Sequence, residues 1–382
     1  MKIKFNIKKV YNVVFRAAVC ILIVLLVSIV PTSIYFVPKN FLEDKFGGNR
    51  SDYQGVLELW HIDTFEGGTL GKYQFLKARA TDYEKNNQGL YFMVKNMTET
   101  ECLLALESGQ RPAMFSFGVG IGEQILQNLQ EFNFSSEHVR KEFIDAGQIN
   151  SSQYAAAWCR GVYSLISTAS AITKASQDAT SMLSSIATSC GYVSALKHNK
   201  TKTTYSITFG AAGYVCPQKA YAASHKNLVQ NDTSLNSNYA NTTSYQAYCN
   251  FIEGKASILL GTQRDVARVE NRVNQGKLTD VIYQHLPDYT DLVQYVSICN
   301  SVKQQQYQEC VEFINYLCSE KVQQKLVNIG MFSVIKNANI YSSGVWKDIE
   351  LLTQEDCLVE NAFTNITVLA SNKQSCIDVQ EV

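Results

Sequence analysis

The chain has 382 residues, 46% of them hydrophobic and 11% aromatic, which suffices for two domains of ordinary size with real cores. Lys plus Arg and Asp plus Glu balance at 34 each, but residues 1–50 hold eight basic residues (Lys2, Lys4, Lys8, Lys9, Arg16, Lys39, Lys45, Arg50) against Glu43 and Asp44, leaving 26 basic and 32 acidic residues in the remainder. A mildly acidic body lacks the electrostatic footprint of a nucleic-acid binder, and five prolines in the whole chain argue against long disordered linkers.

Five of those basic residues precede an apolar run from Ala17 to Val30, which Pro31 interrupts and Ile34–Val37 resumes. Taken as residues 13–37, the stretch reaches the ~20 apolar residues a transmembrane helix needs. Residues 1–12 would then stay in the cytoplasm and the body would lie outside, as a single-pass anchored protein of the cell membrane. A cleaved signal peptide is the competing reading, although Val30-Pro31-Thr32-Ser33 is a poor cleavage site. Residues 38–52 read as a linker. Ten of the eleven cysteines lie beyond the anchor. They read mostly as buried thiols, with one or two disulfides left open, and with no C-x-x-C a zinc ribbon is not expected.

From residue 53 strands and helices alternate. Val56–Trp60 reads as a buried strand ending in a Gly-rich turn, His61–Gly71. A helix follows over 72–87, with Tyr73, Leu76, Ala80 and Tyr83 at helical spacing. Leu90–Val94 is a strand, Glu99–Ser108 a short helix, Ala113–Phe117 a strand, and 123–130 a helix after the Gly118–Gly122 turn. The Ser/Ala/Thr-rich stretch 164–204 reads as helical, Tyr205–Phe209 as a strand, and 225–248 as a surface loop or frayed helix. Ala256–Leu260 is a strand, and Thr262-x-x-Asp265 opens a helix that runs to Gln275. Asp280–Gln284 and Leu292–Ile298 are strands. Val311, Ile314, Cys318, Val322, Leu326 and Ile329 then line one long helical stripe that stops at Gly330. Short Gly turns between strand and helix predict α/β architecture with mostly parallel sheets flanked by helices.

Four blocks stand in a telling order: Gly55-Val56-Leu57-Glu58-Leu59-Trp60-His61; Pro112-Ala113-Met114-Phe115-Ser116-Phe117-Gly118; Phe251-Ile252-Glu253-Gly254-Lys255-Ala256 through Gly261; and Phe313-Ile314-Asn315-Tyr316 through Gly330-Met331-Phe332. In that order the chain resembles the bacterial extracellular solute-binding proteins of family 1, the carbohydrate-type substrate-binding proteins of ABC transporters. The resemblance implies a two-lobed type II periplasmic-binding fold, with a ligand held in the cleft between lobes that close about a hinge. It implies a first lobe of 53–153 continued at 262–298, and a second of 154–261 continued at 299–376. The span from Tyr154 to Phe251 is shorter than this family's second lobe usually is, which bears on the size of the ligand.

Open α/β sheets bind ligands at the carboxyl ends of their strands, and polar solutes need hydrogen-bonding groups beside flat apolar faces. The first strand end offers Asp63, Phe65 and Glu66, and the second offers Phe117. Trp158, Arg160 and Tyr163 occupy the first crossing that the resemblance implies. Gln263 and Arg264 stand at the second, where free N–H groups of a helix start attract polar ligand atoms. Tyr295 flanks the third. Each has a plainer reading as a local cap, a lobe-packing residue or a surface ion pair.

No G-x-S-x-G, H-E-x-x-H or phosphate-loop pattern occurs, so no enzyme, no cofactor and no metal are expected. The expected function is a monomeric solute-binding component of an ABC importer, capturing a sugar-like or acidic polar solute and docking on a membrane permease. The alternative is a membrane-tethered sensor ectodomain that reports occupancy to a membrane partner.

Overall fold

The computed structural model describes residues 49–134, 137–172, 178–188, 207–224 and 242–369, with Val19 alone before them. The apolar run 13–37, Val19 apart, lies outside the described residues, as do 189–204 of the Ser/Ala/Thr-rich stretch and 225–241 of the polar segment. Among the described residues no helix is long and apolar enough to cross a membrane.

Two sheets organise the chain. In the first, β1 (Asn49–Ile62) lies parallel to both β2 (Asn87–Met97) and β3 (Met114–Gly118). Helix α1 (Lys72–Glu84) is the crossover from β1 to β2, and it buries Phe75, Leu76, Ala80 and Tyr83. Helix α2 (Glu99–Glu107) opens on a capping box between Thr98 and Glu101, a device worth about 1 kcal/mol. Beside β3 the direction reverses: β13 (Val293–Cys299) runs antiparallel to β3, to β4 (Leu129–Gln130) and to β7 (Ala156–Arg160). The second sheet has the order β11 (Val281–Leu286), β8 (Tyr163–Thr168), β10 (Ile258–Thr262), β9 (Ile207–Phe209), and only β10 with β9 is parallel. Two small ribbons, β5 (Gln148–Ile149) with β6 (Ser152–Gln153) and β12 (Tyr289–Thr290) with β14 (Leu358–Val359), complete the strands.

The sheets are therefore mixed, not mostly parallel. Parallel neighbours need a crossover of a dozen or more residues. Here β7 passes straight into β8 through Gly161 and Val162, and β13 enters the first sheet from the second lobe, against the direction of β3.

The division of the chain also differs from the expected one. Helix α3 (Pro217–Ala223) packs Ala220 and Tyr221 with Phe209 and Leu260 on the second sheet. Helices α4 (Ser244–Ile252) and α5 (Gln263–Asn274) pack Ala247, Phe251, Val266 and Val269 against Ile166 and Leu259 of the same sheet. Stretch 262–298 thus belongs to the second lobe through β11 and to the first only from β13. Conversely, helix α6 (Gln304–Leu317) buries Cys310, Phe313, Ile314 and Leu317 against Leu57, Leu59, Val296 and Ile298 of the first sheet. The chain recrosses at Phe332, whose backbone exchanges hydrogen bonds with Arg160, and helix α7 (Gly344–Leu352) buries Ile349 in the second lobe. An apolar stripe shows which face of a helix is covered, not which sheet covers it.

Three element readings change as well: the stretch expected as a helix over 123–130 is α-helical at Ile121–Ile125, 3-10 at Leu126–Asn128 and strand at Leu129–Gln130. Ser164–Thr168 is strand, with helix only at Ala169–Ile172 and Ala179–Thr188. The long stripe is one buried face but not one helix: α6 ends at Leu317, a short turn Glu320–Gln323 follows, and a 3-10 segment Gln324–Ile329 closes on Gly330 at φ 62°. Cys102, Cys159, Cys299, Cys310 and Cys318 are buried thiols, and burial pushes Cys102 up to about 11 and Cys318 up to about 12.

Trp158 is fully buried; its ring stacks on Phe75 at 5.6 Å and 3°, and its Nε1 donates to Ser116 Oγ at 3.3 Å. Trp158→Ala is expected to destabilise the protein by about 3–5 kcal/mol in urea unfolding followed by circular dichroism.

Candidate functional site

The loop after β1 is wound around a buried lysine. Lys72, at the first turn of α1, is wholly inaccessible; its ammonium donates to the Phe65 carbonyl, lies 3.1 Å from Asp63 Oδ1, and sits 3.3 Å from the centroid of the Phe65 ring. Behind Asp63 runs a buried polar chain. Ser116 Oγ accepts from Trp158 Nε1 at 3.3 Å and from Gln294 Nε2 at 3.2 Å, the latter also donating to the Ile62 carbonyl. Both lone pairs of the hydroxyl are thereby used, so its hydrogen goes to His61 Nδ1, 3.1 Å away. The other ring nitrogen of His61, Nε2, lies 3.1 Å from Asp63 Oδ1. Burial alone would raise the Asp63 carboxyl, but the Lys72 charge and the hydrogen bonds from His61 and Lys72 outweigh it and hold the group well below the usual carboxylate range. Both contacts fall on Oδ1, and the side chain is still 42% exposed, so Oδ2 remains for a further donor.

Serine, histidine and aspartate in sequence of contact invite comparison with a hydrolase triad. This one is built otherwise. The serine is sealed beneath Trp158 and gives its proton inward, where a nucleophile has to face a substrate.

Across the cleft stands the second lobe. A cavity of about 400 Å³ is lined by Thr64, Phe65 and Glu66 on one side and by Gly210, Ala212, Val215, Thr243, Ser244, Tyr245 and Thr262 on the other. Tyr245 is 59% exposed, stacked on Tyr248 at 6.2 Å, with the Arg268 guanidinium 5.3 Å from its ring centroid. Each wall therefore offers one aromatic ring backed by a cation, with threonine and serine hydroxyls between them. Thr243 and Thr262 both cap helices, and Asp265 holds that corner by accepting from Thr262 N at 3.0 Å and Ser244 Oγ at 3.1 Å.

The walls are tied together from α5. Arg268 donates from Nη2 to both carboxylate oxygens of Glu66, at 2.9 and 2.8 Å, and from Nη1 to Asp265 Oδ1 at 2.9 Å. Arg264 donates to the carbonyls of Gly68 and Thr69, each at 3.0 Å. Gln263, fully buried, donates from Nε2 to the Glu66 carbonyl at 2.9 Å and accepts the Val162 N–H on Oε1 at 3.2 Å. The crossing expected at Gln263 and Arg264 is absent: α5 turns back into the second lobe and only touches the first.

Of the ten expected site residues, Phe65 and Glu66 line the cavity, Asp63 stands beside it, and Gln263 and Arg264 fix its loop. The other five are buried in packing. Phe117 lies against Tyr295 and Phe363 in the first-lobe core, and Tyr295 donates to the Glu360 carbonyl at 2.7 Å. Trp158 packs on Phe75. Arg160 is enclosed over the Phe143 ring and reaches the Thr353 carbonyl and Cys357 Sγ. Tyr163 donates to Asp291 Oδ1 at 2.7 Å; Asp291 also takes the Cys216 N–H, yet burial pushes it up to about 6. Sequence reasoning missed Lys72, Tyr245 and Arg268. The Thr243-x-x-Gln246 capping box was a usable sign that a helix, and so a wall, begins at Ser244.

No protein-family model matches the chain, and no curated protein matches it in sequence. Solved structures match in fold. The sugar-binding protein MalE from Xanthomonas citri is 13% identical with a TM-score of 0.60, covering 86% of this chain and 92% of that one. The GacH receptor of Streptomyces glaucescens, solved unliganded and with acarbose, is 14% identical at 0.55, covering 86% and 94%. Thiaminase I from Bacillus thiaminolyticus is 8% identical at 0.57, covering 85% and 100%. The chain thus has the two-lobed α/β fold of the type II periplasmic sugar-binding proteins. The same fold also carries an enzyme, thiaminase I, so the site and not the fold must decide between capture and chemistry.

Asp63→Asn would remove the charge that balances buried Lys72. A carboxylate held below its usual range stabilises the fold fully above about pH 4 and progressively less as pH falls toward its folded value. The variant is therefore expected to be less stable than the parent at pH 7, with the gap narrowing below about pH 4, read by urea unfolding across pH.

Proposed function

We propose that this chain captures a small polar solute, a sugar or short oligosaccharide, in the cleft between its lobes, and releases it unchanged. The observation that carries this is the pairing of two cation-backed aromatic rings, Phe65 and Tyr245, on opposite walls of one cavity edged by hydroxyls. A pyranose has apolar C–H faces and an equatorial belt of hydroxyls, so it needs flat rings above and below and short polar side chains at the rim. Thr64, Thr243, Ser244 and Thr262 supply those hydroxyls, and Asp63 Oδ2 supplies an acceptor. MalE and the GacH receptor, with the same fold, are sugar- and acarbose-binding proteins, which supports the ligand class.

In this reading the ligand bridges the lobes and favours the closed form by its greater affinity for it. The closed form docks on an ABC permease, and the N-terminal apolar run tethers the body to the outer face of the cell membrane. Catalysis is not part of the reading, because Ser116, the hydroxyl behind His61 and Asp63, is sealed beneath Trp158.

Isothermal titration with a saccharide panel tests it. Binding of at least one saccharide is expected, and Phe65→Ala and Tyr245→Ala should each cost about 1 kcal/mol or more, near fivefold in affinity. Chromatography of the ligand after prolonged incubation should return it intact. Cleavage of the saccharide, or unaltered affinity in both folded variants, would sink the proposal.

A further inference from the structure

In the first sheet β3 lies beside β1, so its carboxyl end, Gly118-Val119-Gly120, continues the ligand-facing edge that begins at Thr64. A cleft running along that edge would extend from Thr64 over the β3 turn. In this protein the extension is filled from the opposite lobe. Tyr214 belongs to the loop between β9, a strand of the second sheet, and α3, which packs on that sheet, yet its ring lies against Gly120 and the first-lobe core. Gly120 has φ 91° and its backbone is approached so closely that a Cβ would run into the Tyr214 ring, so only glycine accommodates the contact. The phenol oxygen donates to Glu99 Oε1 and accepts from Gln124 Nε2 at 3.0 Å, and Gln124 Nε2 also reaches Glu99 at 2.8 Å. The loop residues on both sides of the tyrosine, Ala212 and Val215, line the cavity itself.

We infer that Tyr214 is a built-in plug that ends the cleft over β3 and restricts the solute to a short saccharide, its hydroxyl taking the place on Glu99 and Gln124 that a longer solute's hydroxyl would take. This rests on the sugar-capture reading. The cavity left open, about 400 Å³, is at the small end of the ~300–1,000 Å³ of ligand sites. Removing the ring would join that cavity to the β3 turn and present a carboxylate and an amide, the groups that recognise sugar hydroxyls.

The test uses the full-length chain, the glucose-to-maltohexaose series and the matching N-acetylglucosamine series, with binding followed by titration and amide exchange followed over Gly118–Gln124. The parent and Tyr214→Phe, which keeps the ring, should prefer the mono- or disaccharide and lose affinity for longer members. Tyr214→Ala should bind the longer members at least about tenfold more tightly than the parent, with faster exchange confined to the β3 turn. A length profile identical in the parent and Tyr214→Ala, or a parent that binds long members as tightly as short ones, would overturn the plug while leaving sugar capture standing. If no protein in the set binds any saccharide, sugar capture fails and the length limit with it, and the exchange data alone report whether Tyr214 covers the turn.

Discussion

Gly161 is the point on which the two lobes depend. Its N–H donates to the Leu292 carbonyl at 2.6 Å, its carbonyl accepts the Thr290 hydroxyl at 3.2 Å, and the next N–H, of Val162, goes to Gln263. A side chain here would press into the Gln263 amide and lie 2.8 Å from Leu292 Cβ. Two passages of the chain between sheets therefore meet at one residue without a side chain, and the third, at Phe332, is hydrogen-bonded to its neighbour Arg160. Such a junction fixes where one lobe passes into the other. It also explains why so many polar groups are buried there: each backbone group in a crossing that lies in neither sheet must find a partner outside the ladders.

From that junction the polar contacts run outward in one direct line to the cleft. Gln263 joins Val162 to the Glu66 carbonyl, and Glu66 joins the loop to Arg268, which stands behind Tyr245. On the first lobe, Ser116 and His61 stand behind Asp63, at the start of the loop that carries Phe65. The rings on the two cleft walls are thus held by groups whose own positions are set by hydrogen bonds with little freedom, so the walls are preorganised. The cations behind the rings serve twice, since each both pairs with a carboxylate and enriches the contact with the aromatic face.

Much of the fold was legible because strand, turn and helix alternate with clear stops, and α1, α5 and the first strands fall within a few residues of where periodicity puts them. The sheet assignments were not, because burial on a helix stripe is silent about which sheet provides the cover, as α5 and α6 show. Strand β7 gave a further trap. All five of its residues are buried, so no alternation marks which side chains face the cleft, and Trp158 and Arg160, chemically suited to a ligand, are consumed by packing. The loop residues were easier to locate: Asp63, Phe65 and Glu66 follow the carboxyl end of β1, and Phe65 and Glu66 line the cavity there. Tyr245 was hidden because it belongs to the wall that sequence periodicity describes least.

The placement of β13 has a consequence for the order in which the molecule is made. It occupies the middle of the first sheet, with β3 on one side and β4 and β7 on the other, yet it begins at Val293. As the chain emerges from the ribosome, β3 has an open, apolar edge until more than three quarters of the residues have appeared. The first sheet cannot close early, and its stability arrives late and all at once, after the second lobe's strands have been delivered. A chain so arranged is exposed to misassembly at the β3 edge for longer during synthesis.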